Sequence, residues 1–147
     1  MKYTKYLMIA LKLFLGGMLV YGSIGKFTKP NPAPAEVVER ANKNLEPGKE
    51  ITLQKILYIS GMKQTGFAWQ VLGVSELILG LMLLLQGTGL IAAFFSLPIT
   101  LHIFLFHLFL EMDEPMELLS TGCMLLANIL IIAMTYPKWK HLVWVKV

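Results

Sequence analysis

The sequence predicts an all-α protein, an up-and-down four-helix transmembrane bundle with a long, partly helical first loop. Of its residues 56% are hydrophobic and only 15% are charged, and the mean hydropathy is +0.63. A soluble domain carries about 25% charged residues, so this chain has too little polar surface to be soluble. A span needs about 20 apolar residues. The 147 residues are therefore predicted to form a single integral membrane domain with room for four spans.

Four apolar runs separated by turns are the predicted spans. Pro98 is expected to bend the third of them, where Ser96 and Thr100 can satisfy backbone groups that the proline frees. Pro137 is expected to end the fourth. The spans cover about residues 6–27, 66–86, 90–110 and 118–136.

The first loop, residues 28–65, is the only long polar region. It opens with KPNPAPA, whose three prolines prevent a continuous helix. Residues 35–45 can form a short surface helix that Pro47 and Gly48 would end. Residues 50–63 have a rough amphipathic pattern, which fits a helix that lies on the membrane surface or one that extends the next span.

The distribution of basic residues favours a multi-pass protein of the cell membrane with cytoplasmic termini. Four spans place both termini on one side, and residues 111–117 of the third loop contain no Lys or Arg. The first loop and its flank oppose this orientation, because they carry seven basic residues. The basic residues on the terminal side are Lys2, Lys5, Lys138, Lys140 and Lys146.

The second span carries a stripe of glycines at an interval of seven residues. Seven residues are two helical turns less about 20°, so the glycines lie almost in line. Glu76 lies on the same side of the helix. A helix face made of glycines, with a carboxyl group beside them, is suited to close packing against other helices and not to contact with lipid. The predicted helix-packing glycines are Gly66, Gly73, Gly80 and Gly87.

Two segments and the layout resemble the DoxX-like family of small four-span membrane proteins. Residues 14–27, FLGGMLVYGSIGKF, are similar to that family's opening helix, with its glycines and a closing Lys before a bulky apolar residue. Residues 73–89, GVSELILGLMLLLQGTG, are similar to its Gly, Glu-Leu, Gly second helix with a glycine turn. The layout, a long first loop followed by three closely spaced helices, agrees as well. The expanded first loop and the histidines of the third span depart from the family pattern.

The resemblance implies a four-helix bundle. It also implies a role near redox enzymes, because some members resemble subunits of membrane quinone oxidoreductases and others associate with redox or stress-response partners. We therefore expect a non-catalytic subunit or accessory protein of a quinone-linked membrane complex, with quinone as the expected ligand. The expected partners are the lipid bilayer and a membrane or peripheral redox protein.

Polar residues from three spans fall at similar predicted depths. At about 1.5 Å per residue, Lys12 lies about 9 Å, Asn128 about 12 Å and Glu76 about 15 Å from the terminal side. Lys12 is the predicted partner of Glu76, and it shares one face of the first span with Lys26. The cluster has three interpretations: a structural clasp, a proton-active or ligand-binding site, or a neutral, protonated Glu76 acting alone.

Two histidines lie in the third span, about 140° apart on a straight helix, so they cannot hold one metal ion. His102 is expected to join the interior cluster or to bind a headgroup-like ligand, and ligation of a haem with a second residue is a further interpretation. His107 is expected to pair with Glu111. Residues 111–117 are interpreted as a solvated acidic turn, because their spacing matches no standard cation loop. Trp69 fits a membrane-interface anchor better than a quinone stacker.

The sequence contains no nucleophile–base pair, no phosphate loop and no metal motif of convincing spacing, so no catalytic or metal-binding residue is predicted. It also lacks a dense basic run with interleaved aromatic residues, which argues against nucleic acid as a partner. The alternative to the subunit role is a small proton-coupled transporter or lipid-like ligand carrier that uses Glu76. The absence of an obvious inverted repeat argues against transport.

Overall fold

A computed structural model describes residues 2–28 and 30–143. Within these ranges all regular secondary structure is helical, which confirms the prediction of an all-α chain. Lys29 and Lys146, which entered the count of basic residues, lie outside the described residues. The helices are α1 (Lys2–Thr28), α2 (Pro34–Asn42), α3 (Glu50–Gln64), α4 (Ala68–Leu84), α5 (Gly89–Leu110), α6 (Pro115–Met134) and α7 (Tyr136–Val143).

Three of the described helices are long and apolar enough to cross a membrane: α1 over Tyr3–Thr28, α5 and α6. A fourth span results if α3 and α4, which meet at an angle of 86°, are counted as one broken span. Large apolar side chains cover the outside of the long helices, among them Phe95, Phe109 and Leu119, which are 66%, 63% and 63% exposed. This surface is compatible with a membrane protein.

The long helices pack against one another. α1 packs on α4 and α6, and α5 packs on the same two helices. α1 and α4 run in opposite directions, because Gly16 of α1 meets Gly80 of α4 while Lys26 meets Gly73. The buried core consists of Leu15, Leu19, Leu83, Ala92, Ala93, Met124 and Ile131.

The first loop contains two helices, in the places that the sequence predicts. α2 begins at Pro34, whose fixed φ suits a first helical position, and the chain turns at Gly48 with φ +90°. α3 packs on α2, α4 and α5. Its 86° angle to α4 excludes a straight extension of the next span. Gly66 provides the corner, because its φ of +78° is accessible to glycine at little cost.

Close packing of α1 on α4 depends on two glycines of the predicted stripe. A Cβ atom at Gly80 would lie 2.8 Å from Val20 Cγ2 and 2.9 Å from the carbonyl oxygen of Gly16. A Cβ atom at Gly73 would lie 3.1 Å from both Lys26 Cβ and Phe27 Cζ. At these two positions the backbones of α1 and α4 lie close together, because glycine has no side chain to keep them apart.

The other two glycines of the stripe do not pack helices, so this part of the prediction is wrong. Gly66 precedes α4 and would have nothing within 4 Å of an added Cβ atom. Gly87 follows α4 in a turn, and its nearest neighbour would be the carbonyl oxygen of Leu85 at 3.9 Å. The interval of seven continues beyond both ends of the helix, where the backbone is no longer helical.

Candidate functional site

Glu76 forms a buried ion pair with Lys26. The carboxylate is only 1% exposed, and Lys26 Nζ donates a hydrogen bond of 2.6 Å to Glu76 Oε2. The lysine lies in the last turn of α1 and is itself 13% exposed, so the pair is shielded from water. The second carboxylate oxygen, Oε1, is buried and has no hydrogen-bond partner. The pair therefore leaves one strong acceptor unused.

Lys12 is not the partner of Glu76, contrary to the sequence prediction. Its Nζ donates a 3.0 Å hydrogen bond to the carbonyl oxygen of Gln86 and lies beside Gly89. The carbonyl groups at the end of α4 lack intrahelical partners and carry a partial negative charge, so a lysine ammonium is stabilised there. The antiparallel register, with Gly16 opposite Gly80, places Lys26 at Glu76 and Lys12 at the opposite end of α4.

Asn128 belongs to a separate junction between α6 and α5. It is fully buried, and its amide lies 3.0 Å from the hydroxyl groups of Ser96 and Thr100. With the amide oxygen toward these hydroxyls, the amide nitrogen donates a 2.9 Å hydrogen bond to the carbonyl oxygen of Ala93. This orientation satisfies every polar atom of the side chain beside Pro98. The predicted single cluster of Lys12, Glu76 and Asn128 is therefore wrong.

The two histidines of α5 have different partners. His102 contacts α3, and His107 contacts Glu111 just after the end of α5. Tyr58 of α3 hydrogen-bonds to Nε2 of His102, and the Tyr58 ring also contacts Phe106. The predicted pair of His107 and Glu111 is confirmed, with His107 Nδ1 2.6 Å from Glu111 Oε2.

Glu111 also forms an ion pair with Lys55 of α3, so the first residue of the acidic turn is not free in solvent. Two side-chain contacts, Lys55 with Glu111 and Tyr58 with His102, thus hold α3 across the end of α5.

A cavity of about 260 Å³ lies beneath α3, between α1, α4, α5 and α6. The ion pair of Lys26 and Glu76 and the pair of Tyr58 and His102 are part of its lining. Most of its wall is apolar, which suits a molecule with a hydrocarbon body and a small polar head. The apolar lining includes Met18, Leu19, Leu72, Ile103, Phe106 and Met124.

Trp69 of α4 also lines this cavity. The ammonium groups of Lys26 and Lys63 lie 5.3 Å and 5.2 Å from the centre of its ring, within the range of a cation–π contact. Its indole Nε1 is buried and has no hydrogen-bond partner. Trp69 and Glu76, which both line the cavity, therefore each hold one buried polar atom without a partner, a donor in Trp69 and an acceptor in Glu76.

The arrangement is suited to binding. Among the described residues, no group of three or more His, Cys, Asp and Glu side chains is placed to hold a metal ion. His102 Nε2, the atom that a haem iron would need, is engaged by the Tyr58 hydroxyl. An ion pair, two unpaired polar atoms and aromatic side chains beside an apolar volume can hold and orient the head of an amphiphilic molecule.

No family model, no curated protein and no solved structure matches this chain.

Sequence reasoning missed Lys26, Tyr58 and the role of α3. The signal for Lys26 was present, because this lysine shares a face of α1 with Lys12 and closes the segment GKF. Its neighbour Phe27 packs on Gly73 and thereby fixes the end of α1 beside Glu76.

Proposed function

We propose that the chain is a DoxX-like, multi-pass protein of the cell membrane that binds a quinone-class lipid in the cavity beneath α3. In this proposal it is a non-catalytic subunit or accessory protein of a membrane redox complex. The observation that carries the proposal is the apolar cavity with two unpaired buried polar atoms, Glu76 Oε1 and Trp69 Nε1.

The proposed membrane architecture is an up-and-down bundle of α1, α4, α5 and α6 with cytoplasmic termini. The antiparallel contacts of α1 with α4 support this arrangement. So do those of α5 with α6, where Phe104 lies beside Gly122 while Ser96 and Thr100 lie beside Asn128. α3 then lies at the opposite face of the membrane, at 86° to α4, as a helix in the membrane interface would. The cavity lies beneath α3, so in this arrangement it is close to that interface and to the heads of the surrounding lipids.

A quinone-class ligand fits the residues that line the cavity. One ring oxygen can accept a hydrogen bond from the Trp69 indole N–H, and the reduced form can also donate to Glu76 Oε1. Tyr58 and Phe106 supply flat apolar surface against which a ring can pack. The side chains of Met18, Leu72 and Met124 supply apolar surface for a hydrocarbon tail. The subunit role rests on the resemblance of residues 14–27 and 73–89 to DoxX-like proteins.

The test is native mass spectrometry of protein gently extracted from its membrane, together with chemical analysis of the bound lipid. Gly22 lines the cavity, and an added Cβ atom would lie 3.8 Å from Glu76 Oε2, an ordinary contact distance. Gly22→Leu should therefore fill the cavity and abolish binding of the quinone. Gly17→Leu is the matched control on the same helix, because an added Cβ atom there has nothing within 4 Å.

Wild type and Gly17→Leu are expected to retain a bound quinone, and a stoichiometric redox partner would support the subunit role. A wild-type protein that retains no quinone would contradict the ligand, and so would equal retention by Gly22→Leu.

A second candidate function is a proton-coupled carrier of a lipid-like ligand. The favouring observation is the same free carboxylate oxygen, because Glu76 at a cavity can exchange a proton with a ligand. In proteoliposomes with an internal pH indicator, this function predicts ligand-dependent proton uptake that Glu76→Gln abolishes. The subunit function predicts no such uptake in either protein.

A further inference from the structure

Two buried polar atoms of opposite type flank one ammonium group in the cavity wall. Lys26 Nζ lies 2.6 Å from Glu76 Oε2 and 5.3 Å from the centre of the Trp69 ring. Glu76 Oε1 can only accept a hydrogen bond when the carboxyl is ionised, and Trp69 Nε1 can only donate one. Both atoms are without a partner, and both residues line the same cavity. Leaving such atoms unpaired costs free energy, so a molecule that pairs with both gains affinity.

The charges around these atoms discriminate among lipid head groups. A cationic head would meet Lys26, which already neutralises Glu76. An anionic head would be repelled by the carboxylate of Glu76, because this side chain is only 1% exposed and its charge is therefore poorly screened. A head with only carbonyl or ether oxygens can accept from Trp69 but leaves Glu76 Oε1 unpaired. A neutral hydroxyl group donates and accepts, so it suits both atoms.

We infer that the cavity selects aromatic amphiphiles with a hydroxyl head, and hence the reduced, quinol-type form over the oxidised form that carries only carbonyl oxygens. The inference rests on the proposed ligand-binding function and adds the specificity of the site. Glu76 is the specificity-determining residue, because its Oε1 can accept a hydrogen bond from the hydroxyl group that the oxidised form lacks. Trp69 contributes to the affinity of both forms, because both present an oxygen that can accept from its N–H.

The test uses the full chain in lipid nanodiscs and two matched probes, 4-dodecylphenol and its methyl ether, 4-dodecylanisole. The probes share the ring, the tail and one oxygen, but only the phenol can donate. Isothermal titration calorimetry, with concentrations expressed as mole fraction in the bilayer, is expected to show about tenfold to hundredfold tighter binding of the phenol, the range for a hydrogen bond to a charged group. Glu76→Gln should reduce this ratio toward one, because the single amide oxygen then faces the Lys26 ammonium group and an NH2 group, which cannot accept, takes the place of Oε1.

Trp69→Phe is the second variant, and it leaves the ion pair in place. It should weaken binding of both probes by a similar factor and keep their ratio. If Glu76→Gln does not fold, the inference is still tested by Trp69→Phe and by the ratio of the two probe affinities in wild type.

Equal binding of the two probes to wild type would overturn the inference while leaving the proposed ligand-binding function intact. Failure of both probes to bind would overturn both. Tighter binding of dodecanoate than of the phenol would also overturn the inference, because it would show selection of an anionic head.

Discussion

The two buried polar junctions of the bundle differ in how fully their polar atoms are paired. At the junction of α5 and α6, the Asn128 amide has partners for its oxygen and its nitrogen, and this side chain does not line the cavity. At the junction of α1 and α4, Glu76 has a partner for one carboxylate oxygen only, and this residue is part of the cavity lining. A fully paired group stabilises helix packing, whereas a half-paired group that lines a cavity is suited to binding.

The largest expected effect is that of removing the ammonium group from the pair at Glu76. Lys26→Met leaves a buried carboxylate without its partner, which should lower the free energy of unfolding by about 3 kcal/mol, the lower end of the range for a broken buried pair, because Lys26 is partly exposed. Lys12→Met is the matched control on α1, and it should cost only about 1.5 kcal/mol, the lower end of the range for a hydrogen bond to a charged group, because this bond is partly buried. Unfolding in mixed micelles measures both.

The double variant Lys26→Met with Glu76→Gln should recover most of the lost stability, because no uncompensated charge then remains. Equal destabilisation by Lys26→Met and Lys12→Met would contradict the assignment of Lys26 as the partner.

The register that aligns Lys26 with Glu76 depends on the contact of Gly80 with Gly16 and Val20. Gly80→Ala forces a Cβ atom to within 2.9 Å of the Gly16 carbonyl oxygen, so the helices must separate. We expect a loss of about 1–3 kcal/mol in the free energy of unfolding, as for overpacked cores. Gly17→Ala, one position from Gly16 and with open space around it, should change stability little. Equal effects of the two variants in the same unfolding assay would refute close packing at this point.

Removal of the Asn128 amide should affect stability and leave ligand binding unchanged. Asn128→Leu loses hydrogen bonds between α5 and α6, and we expect a loss of about 0.6–2 kcal/mol in the free energy of unfolding, the range for polar contacts between membrane helices. The affinity for 4-dodecylphenol should stay that of wild type. A large loss of affinity in this variant would show that the two junctions are not independent.

The smallest expected effect concerns the helix that covers the cavity. Tyr58→Phe removes the hydroxyl that contacts His102, and should cost about 0.5–1.5 kcal/mol in the local opening free energy of α3. Hydrogen exchange of the α3 amides measures it, and faster exchange is expected. Tyr21→Phe is the control, because Tyr21 is 76% exposed. Unchanged exchange in Tyr58→Phe would mean that this contact does not hold α3 in place.

The apolar runs were sufficient to predict the long helices. A run of about 20 apolar residues is recognised from its composition alone, without knowing which helices it packs against. The limits of α4 were harder to predict, since a glycine interval of seven does not reveal that Gly66 adopts a positive φ. The pairing of Glu76 was not predictable from depth alone. Lys12 and Lys26 lie on one face of α1, and the register of Gly16 with Gly80 decides between them.

Asn128 shows the same limit. Its depth is similar to that of Glu76, but its side chain faces α5, and depth along a helix does not tell which neighbour a side chain meets. The cavity depends on α3, which packs across the end of the bundle through Tyr58 and Lys55. Contacts between segments so distant in sequence leave no local pattern.

The most direct test of the difference between the two junctions is solid-state NMR of the full chain in bilayers, with labelled Glu side-chain carboxylates and Asn side-chain amides. Glu76→Gln and Asn128→Leu assign the two signals. We predict that 4-dodecylphenol shifts the Glu76 carboxylate signal, that 4-dodecylanisole does not, and that the Asn128 amide signal stays in place with both. An unmoved Glu76 signal with saturating 4-dodecylphenol would contradict the account, and so would equal shifts at Glu76 and Asn128.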